Sequence, residues 1–214
     1  MPFAETMTAA TDYLLAALCF FWAARLRWSF QDGFRARLFW ALLFAASGLA
    51  AVTGGTHHAL AARSGASPDL LWKLTLSSIL FASFCLVAAA AFSWTRGPWR
   101  FFLLGLAVLK TVFFAMKVGN DPVFKWAVLD YASAMLLTLA VAGAARGRGT
   151  GMIAGGILIS FAAAYLQQSK IGMGELLNYN VLYHLIQMAA FYLFFRGARS
   201  ASEAAPAGDS RAGT

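Results

Sequence analysis

His57 and His58 stand side by side near the end of one apolar run, Asp69 opens the next run, and His184 lies in the last. Imidazole and carboxylate groups bind zinc. A three-ligand zinc site with one open position lowers the pKa of bound water to about 7, which yields a nucleophile at neutral pH. Two histidines and an aspartate form an acceptable set. Residues four apart share a helix face, so Thr53 sits one turn from His57, Gly54 from His58 and Asn180 from His184, with Gln187 on the adjoining turn. Lys73, Lys110, Asp130, Asn180 and Gln187 are further candidates for polar lining, Lys110 and Asp130 as a second ionisable pair.

The elements that must position these groups follow from composition. With 60% hydrophobic and 12% charged residues in 214, the chain lies outside the balance of soluble domains. A bilayer core of about 30 Å takes about 20 apolar residues per helical crossing. Windows of that kind run from Met7 to Leu26, Leu38 to Ala62, Leu70 to Trp94, Pro98 to Met116, Pro122 to Ala145, Thr150 to Gln168 and Leu176 to Arg196. Gly, Pro, Asn or Arg marks most junctions, and no soluble domain fits between them. The expectation is an all-α integral membrane protein, a seven-transmembrane-helix bundle over residues 1–199. The Ser, Ala, Gly, Asp and Pro of residues 200–214 predict a disordered tail. The first run is expected to be a helix and not a cleaved signal peptide, because its basic flank, Arg25 and Arg27, follows it.

Lys and Arg set orientation. The first connection carries Arg25, Arg27, Arg35 and Arg37, the third Arg96 and Arg100, the fifth Arg146 and Arg148, and the tail Arg196 and Arg199. The alternate connections are nearly neutral: Arg63 with Asp69, Lys117 and Lys125 with Asp121, Lys170 with Glu175. The N-terminus is therefore expected outside and the C-terminus in the cytoplasm. The net charge of +8 reads as topology charge, and no basic stretch interleaved with aromatics points to nucleic acid. Cys19 and Cys85 fall mid-window and suit small buried apolar positions.

At about 1.5 Å of rise per residue, the polar residues collect toward one surface. His57 and His58 lie near the outer end of the second helix, with Asp69 and Lys73 at the start of the third. Asn178, Asn180 and His184 fall in the outer half of the seventh, near Gln167 and Gln168. Lys110 and Asp130 each lie ten positions from Asn120, at the tip of a hairpin, so they should meet at one depth and pair.

Each residue also has a structural reading. His184 could hydrogen-bond a neighbouring helix, Asp69 could be a favourable charge at a helix N-terminus paired with Lys73, and Asn180 and Gln187 could be interhelical hydrogen-bonders. Ala46, Ala50 and Gly54 read as a packing stripe.

The arrangement resembles the CREST superfamily of seven-helix membrane hydrolases, which includes the alkaline ceramidases and the progestin and adiponectin receptors. That family carries Ser-x-x-x-His on helix two, an aspartate soon after, and His-x-x-x-His on helix seven. Here the corresponding residues are Thr53-x-x-x-His57, Asp69 and Asn180-x-x-x-His184, and the short gap before Asp69 is more similar to the ceramidase branch. Asn180 replaces the first histidine of the pair, and the serine position reads Thr53 for His57 or Gly54 for His58. The resemblance implies zinc held by His57 or His58 and His184, with Asp69 a third ligand or a partner that orients one, Thr53 a candidate oxyanion donor, and hydrolysis of a lipid amide or ester. The stretch NYNVLYHLIQM, Asn178 to Met188, is also similar to the last helix of a group of uncharacterised prokaryotic membrane proteins.

A retinal protein needs a lysine deep in the last helix, and none lies between Leu176 and Arg196. Two histidines such as His57 and His184 could ligate haem. No broken helices or clear internal repeat suggest a transporter. The leading expectation is a CREST-like zinc-dependent lipid hydrolase. Its alternative is a protein of that shape without the metal, a receptor or scaffold binding a membrane lipid or small molecule. Membrane lipid is the expected partner. High Ala, Gly and Arg usage suits a bacterial inner membrane. The sequence leaves open the oligomeric state and which of His57 and His58 faces the site.

Overall fold

A computed structural model describes residues 2–27, 34–64, 69–174 and 176–202, with the side chains of residues 2, 27, 64 and 202 left aside. It contains α1 (Pro2–Arg27), α2 (Phe34–Ser64), α3 (Asp69–Trp94), α4 (Gly97–Asn120), α5 (Phe124–Ala145), α6 (Thr150–Gln168) and α7 (Tyr179–Ser202). All seven are long and apolar enough to cross a membrane. Among the described residues, the only β feature is an isolated bridge between Met173 and Leu177.

Most helices outrun the apolar windows that announce them, because a helix continues while its backbone hydrogen bonds are made, whether or not its side chains are apolar. The start of α1 is five residues ahead of Met7, and the added stretch brings in Glu5. The last helix runs on to Ser202, past the expected boundary at residue 199, and residues 203–214 of the expected tail lie outside the described residues. Asn178 sets the start of α7, because its side-chain oxygen accepts from the backbone N–H groups of Asn180 (2.9 Å) and Val181 (3.1 Å). Between α5 and α6 the chain turns through Arg146 and Gly149, both left-handed. At Gly149 a Cβ would lie 2.2 Å from the Gly197 carbonyl oxygen, so the α6–α7 contact there admits only glycine.

Contacts between helix ends establish an up-and-down course. At one end Glu5 meets His58, Trp72 donates to the Pro122 carbonyl (2.8 Å), Asn178 donates to the Ala4 carbonyl (3.1 Å), and Gln167 donates to Asn180 (3.2 Å). At the other end Trp40 donates to Ser93 (3.0 Å), and Gly149 lies against Gly197. Helices α1, α2, α3, α5, α6 and α7 neighbour one another in a closed ring, with α4 outside it against α3 and α5.

The packed core of the ring sits toward the second end, around Trp22, Trp40, Phe44, Phe191, Phe194 and Phe195, with edge-to-face pairs such as Trp22–Phe44 and Phe44–Phe191. Large apolar side chains also cover the outside: Phe21, Leu49, Phe81, Trp99, Phe101, Leu109, Met116, Leu136 and Leu158 are exposed. A surface of that kind fits lipid rather than water.

Candidate functional site

Two carboxylates on α1 organise the polar end of the bundle. Glu5 and Asp12 are seven residues apart, two turns on one helix face. Glu5 Oε2 lies 2.6 Å from His58 Nδ1 on α2, and Asp12 Oδ1 lies 3.2 Å from His184 Nε2 on α7. Asp12 and His184 are buried, 6% and 7% exposed. The other imidazole nitrogen, Nδ1 of His184, lies 3.0 Å from Thr11 Oγ1. Close approach of α1 and α2 at this level requires Gly55, where a Cβ would lie 2.8 Å from Asp12 Cβ and 3.3 Å from the Ala9 carbonyl oxygen.

Proton accounting constrains this group. Thr11 has one hydroxyl proton, and its oxygen lies 2.9 Å from the Thr8 carbonyl oxygen, the usual back-bond of a helical threonine. With the hydroxyl donating there, Nδ1 of His184 donates to Thr11. If Thr11 instead donates to Nδ1, the proton of the neutral imidazole sits on Nε2. Either way a proton lies between Nε2 and the Asp12 carboxylate. The first arrangement leaves the pair neutral overall; the second leaves a lone negative charge among apolar helices, at a cost of several kcal/mol. The neutral arrangement is therefore favoured, with Asp12 and His184 sharing one proton beyond the one on Nδ1.

The pair forms part of the wall of an open cavity of about 420 Å³ between the six ring helices. Its lining is largely apolar and aromatic, including Trp72, Phe124, Tyr131, Phe161, Tyr183 and Phe191. Polar groups converge on it from several helices. Gln187 donates to Ser160 (3.1 Å), Gln167 donates to Asn180, and Thr75 lies 2.8 Å from Thr53. The Tyr131 hydroxyl is buried without a hydrogen-bond partner among the described residues.

The structure distributes the sequence candidates unevenly. His58, His184, Asn180 and Gln187 line the cavity. Thr53 does not; it returns its proton to the Leu49 carbonyl (2.9 Å) and supports Thr75, which does line it. His57 is also outside the lining, with its ring 5.1 Å from that of Trp72 and its Nδ1 buried without a hydrogen-bond partner among the described residues. Asp69 and Lys73 are exposed at the start of α3, and Lys73 borders a separate groove with Thr111 on α4. Of the stripe Ala46, Ala50 and Gly54, the last two line the cavity.

Lys110 and Asp130 do pair, away from the cavity. Lys110 Nζ contacts Asp130 Oδ1 and donates to Ser83 Oγ (2.7 Å), so the pair joins α3, α4 and α5.

Three residues of this polar group were missed in the sequence: Asp12, Thr11 and Glu5. A carboxylate inside an apolar window is itself the signal for Asp12. Thr11, His184 and Asp12 are ordered like a hydroxyl nucleophile, base and orienting acid. Thr11, however, is not among the residues lining the cavity, and its proton points along its own helix. The zinc set implied by the resemblance does not assemble either. His184 has both nitrogens engaged, His58 faces Glu5, and Asp69 is exposed. Among the described residues, no three His, Cys, Asp or Glu side chains are grouped as a metal ion requires.

No curated protein matches the chain. The family of unknown function DUF6962 matches residues 7–203, nearly the whole bundle, and the chain belongs to that family.

Proposed function

We propose that this is an integral membrane protein that binds a small amphipathic molecule, from the lipid phase or from solution, in the cavity between its helices. The observation that carries the reading is the Asp12–His184 pair in the wall of an otherwise mainly apolar cavity of about 420 Å³. A concave apolar site with a few convergent polar groups is the usual form of a small-molecule site. Within lipid, ionisable residues at such a place mark function more often than packing. Seven crossings, an outer N-terminus and a cytoplasmic C-terminus are part of the proposal, because Arg96, Arg146 and Arg199 gather at the end away from the cavity polar groups. A bacterial inner membrane suits the composition.

Zinc-dependent hydrolysis of a lipid amide or ester comes second. In its favour, His58, His184 and Asp12 share the cavity wall; against it, a metal would have to displace the contacts of His184 with Thr11 and Asp12.

Native mass spectrometry of the purified protein tests the first reading. The wild type should retain a small amphipathic molecule that Ala164→Phe, which fills the cavity wall, loses. An equal load in both proteins would overturn it.

A further inference from the structure

We infer that the cavity takes an organic cation, an ammonium group on an alkyl or aryl body, and that its binding expels the proton shared by Asp12 and His184. The inference rests on the cavity being a binding site, as proposed above, and names what it binds. Asp12 is the only acidic side chain among the described lining residues. Its only basic partner among the described residues is a histidine, which can give up a proton, whereas an arginine or lysine would stay charged and compete with a cation permanently. One Asp12 oxygen, Oδ1, faces His184. The other, Oδ2, faces Gly54, itself part of the lining, where even an added Cβ would remain 4.0 Å away. A ligand that meets Oδ2 would leave the contact of Oδ1 with His184 in place.

The walls suit the same chemistry. Faces of Trp72, Tyr131 and Tyr183 attract a cation through their ring quadrupoles, more strongly when water is excluded. The charge balance decides how such a ligand enters. With the proton in place the Asp12–His184 pair is neutral, and adding a cation would leave a net charge within the helices. If the cation enters and one proton leaves His184 or Asp12 for solvent, neutral imidazole, carboxylate and bound cation remain. The net charge is unchanged, no bond but N–H or O–H is altered, and the large cost of an uncompensated charge in lipid is avoided.

The remaining charged or titratable groups near the cavity do not supply that exchange. On the lining are His58, held by Glu5, the phenols of Tyr131, Tyr179 and Tyr183, and Lys170, which is exposed at the rim where water screens it. Tyr13, on α1, bonds Thr56 (3.0 Å) outside the lining.

Calorimetry on the full chain in phosphatidylglycerol nanodiscs tests this, with benzyltrimethylammonium and its uncharged isostere neopentylbenzene as probes. In two buffers of different ionisation enthalpy, the cation should release about one proton on binding, with affinity rising about tenfold per pH unit while the pair is protonated. His57→Gln, at a residue outside the lining, should keep the proton release; Asp12→Asn and His184→Gln should lose it, with far-ultraviolet circular dichroism confirming their folds. Competition by added phosphatidylcholine would identify the natural cation as a lipid headgroup, and its absence as a free cation. Cation binding without proton release, or none, overturns the inference. Binding of neopentylbenzene alone, lost in Ala164→Phe, would leave the binding cavity standing without its cation.

Discussion

Asp12 on α1 lies 3.2 Å from His184 on α7, across nearly the whole length of the chain, and the contact closes the ring of helices at its polar end. Glu5 repeats the arrangement two turns away with His58 of α2. One face of α1 thus holds both neighbouring helices through carboxylate–imidazole contacts.

The coupling between Asp12 and His184 should be measurable. Asp12→Ala and His184→Ala each leave a buried group without its partner, so their separate losses of stability should exceed that of the double variant by about 0.5–3 kcal/mol. Reversible unfolding in mixed detergent supplies the four values of the cycle. Additive losses would show that the two side chains do not act as a pair.

Lys110 and Asp130 should show a sharper asymmetry. Asp130→Leu strands an ammonium and Lys110→Met strands a carboxylate at the α3–α4–α5 junction, whereas both changes together leave an apolar contact. The folded yield by size exclusion is expected to fall most in the single variants and recover in the double. A double variant no better than the worse single would refute the pairing as the source of the loss.

Gly54 and Gly55 are neighbours with different tolerances. A Cβ at Gly54 would be 3.5 Å from Thr75 Cγ2, an ordinary contact, while at Gly55 it would be 2.8 Å from Asp12 Cβ. Gly54→Ala should leave the thermal midpoint within about 2 °C of wild type, and Gly55→Ala should lower it by about 4 °C or more by forcing α1 from α2. Equal midpoints would place the helices farther apart than described.

Zinc content separates the two functional readings. With both nitrogens of His184 engaged by α1, purified protein is expected to hold less than about a tenth of an equivalent of zinc, unchanged by His184→Ala. Near-stoichiometric zinc that falls in His184→Ala and in either His57→Ala or His58→Ala would instead restore the hydrolase as the leading reading. Elemental analysis of the four proteins makes the comparison.

Composition and the lengths of apolar runs were enough to indicate seven helices, because transfer into lipid depends on residue type summed over about 20 positions and not on partners. Chain order with short connections also placed His58, Asn180 and His184 at one end, and counting from Asn120 brought Lys110 level with Asp130. Rotation about each helix axis was not legible, since helices that are apolar on every side show little periodic face. For that reason His57 and His58 could not be told apart until the structure turned His58 toward Glu5 and the cavity, and His57 toward Trp72. Asp12 was hidden for a related reason, since averaging over the first window absorbs a single carboxylate. What makes that carboxylate part of a site is the lateral contact of α1 with α7, and only tertiary packing decides which of several helices at the same depth become neighbours.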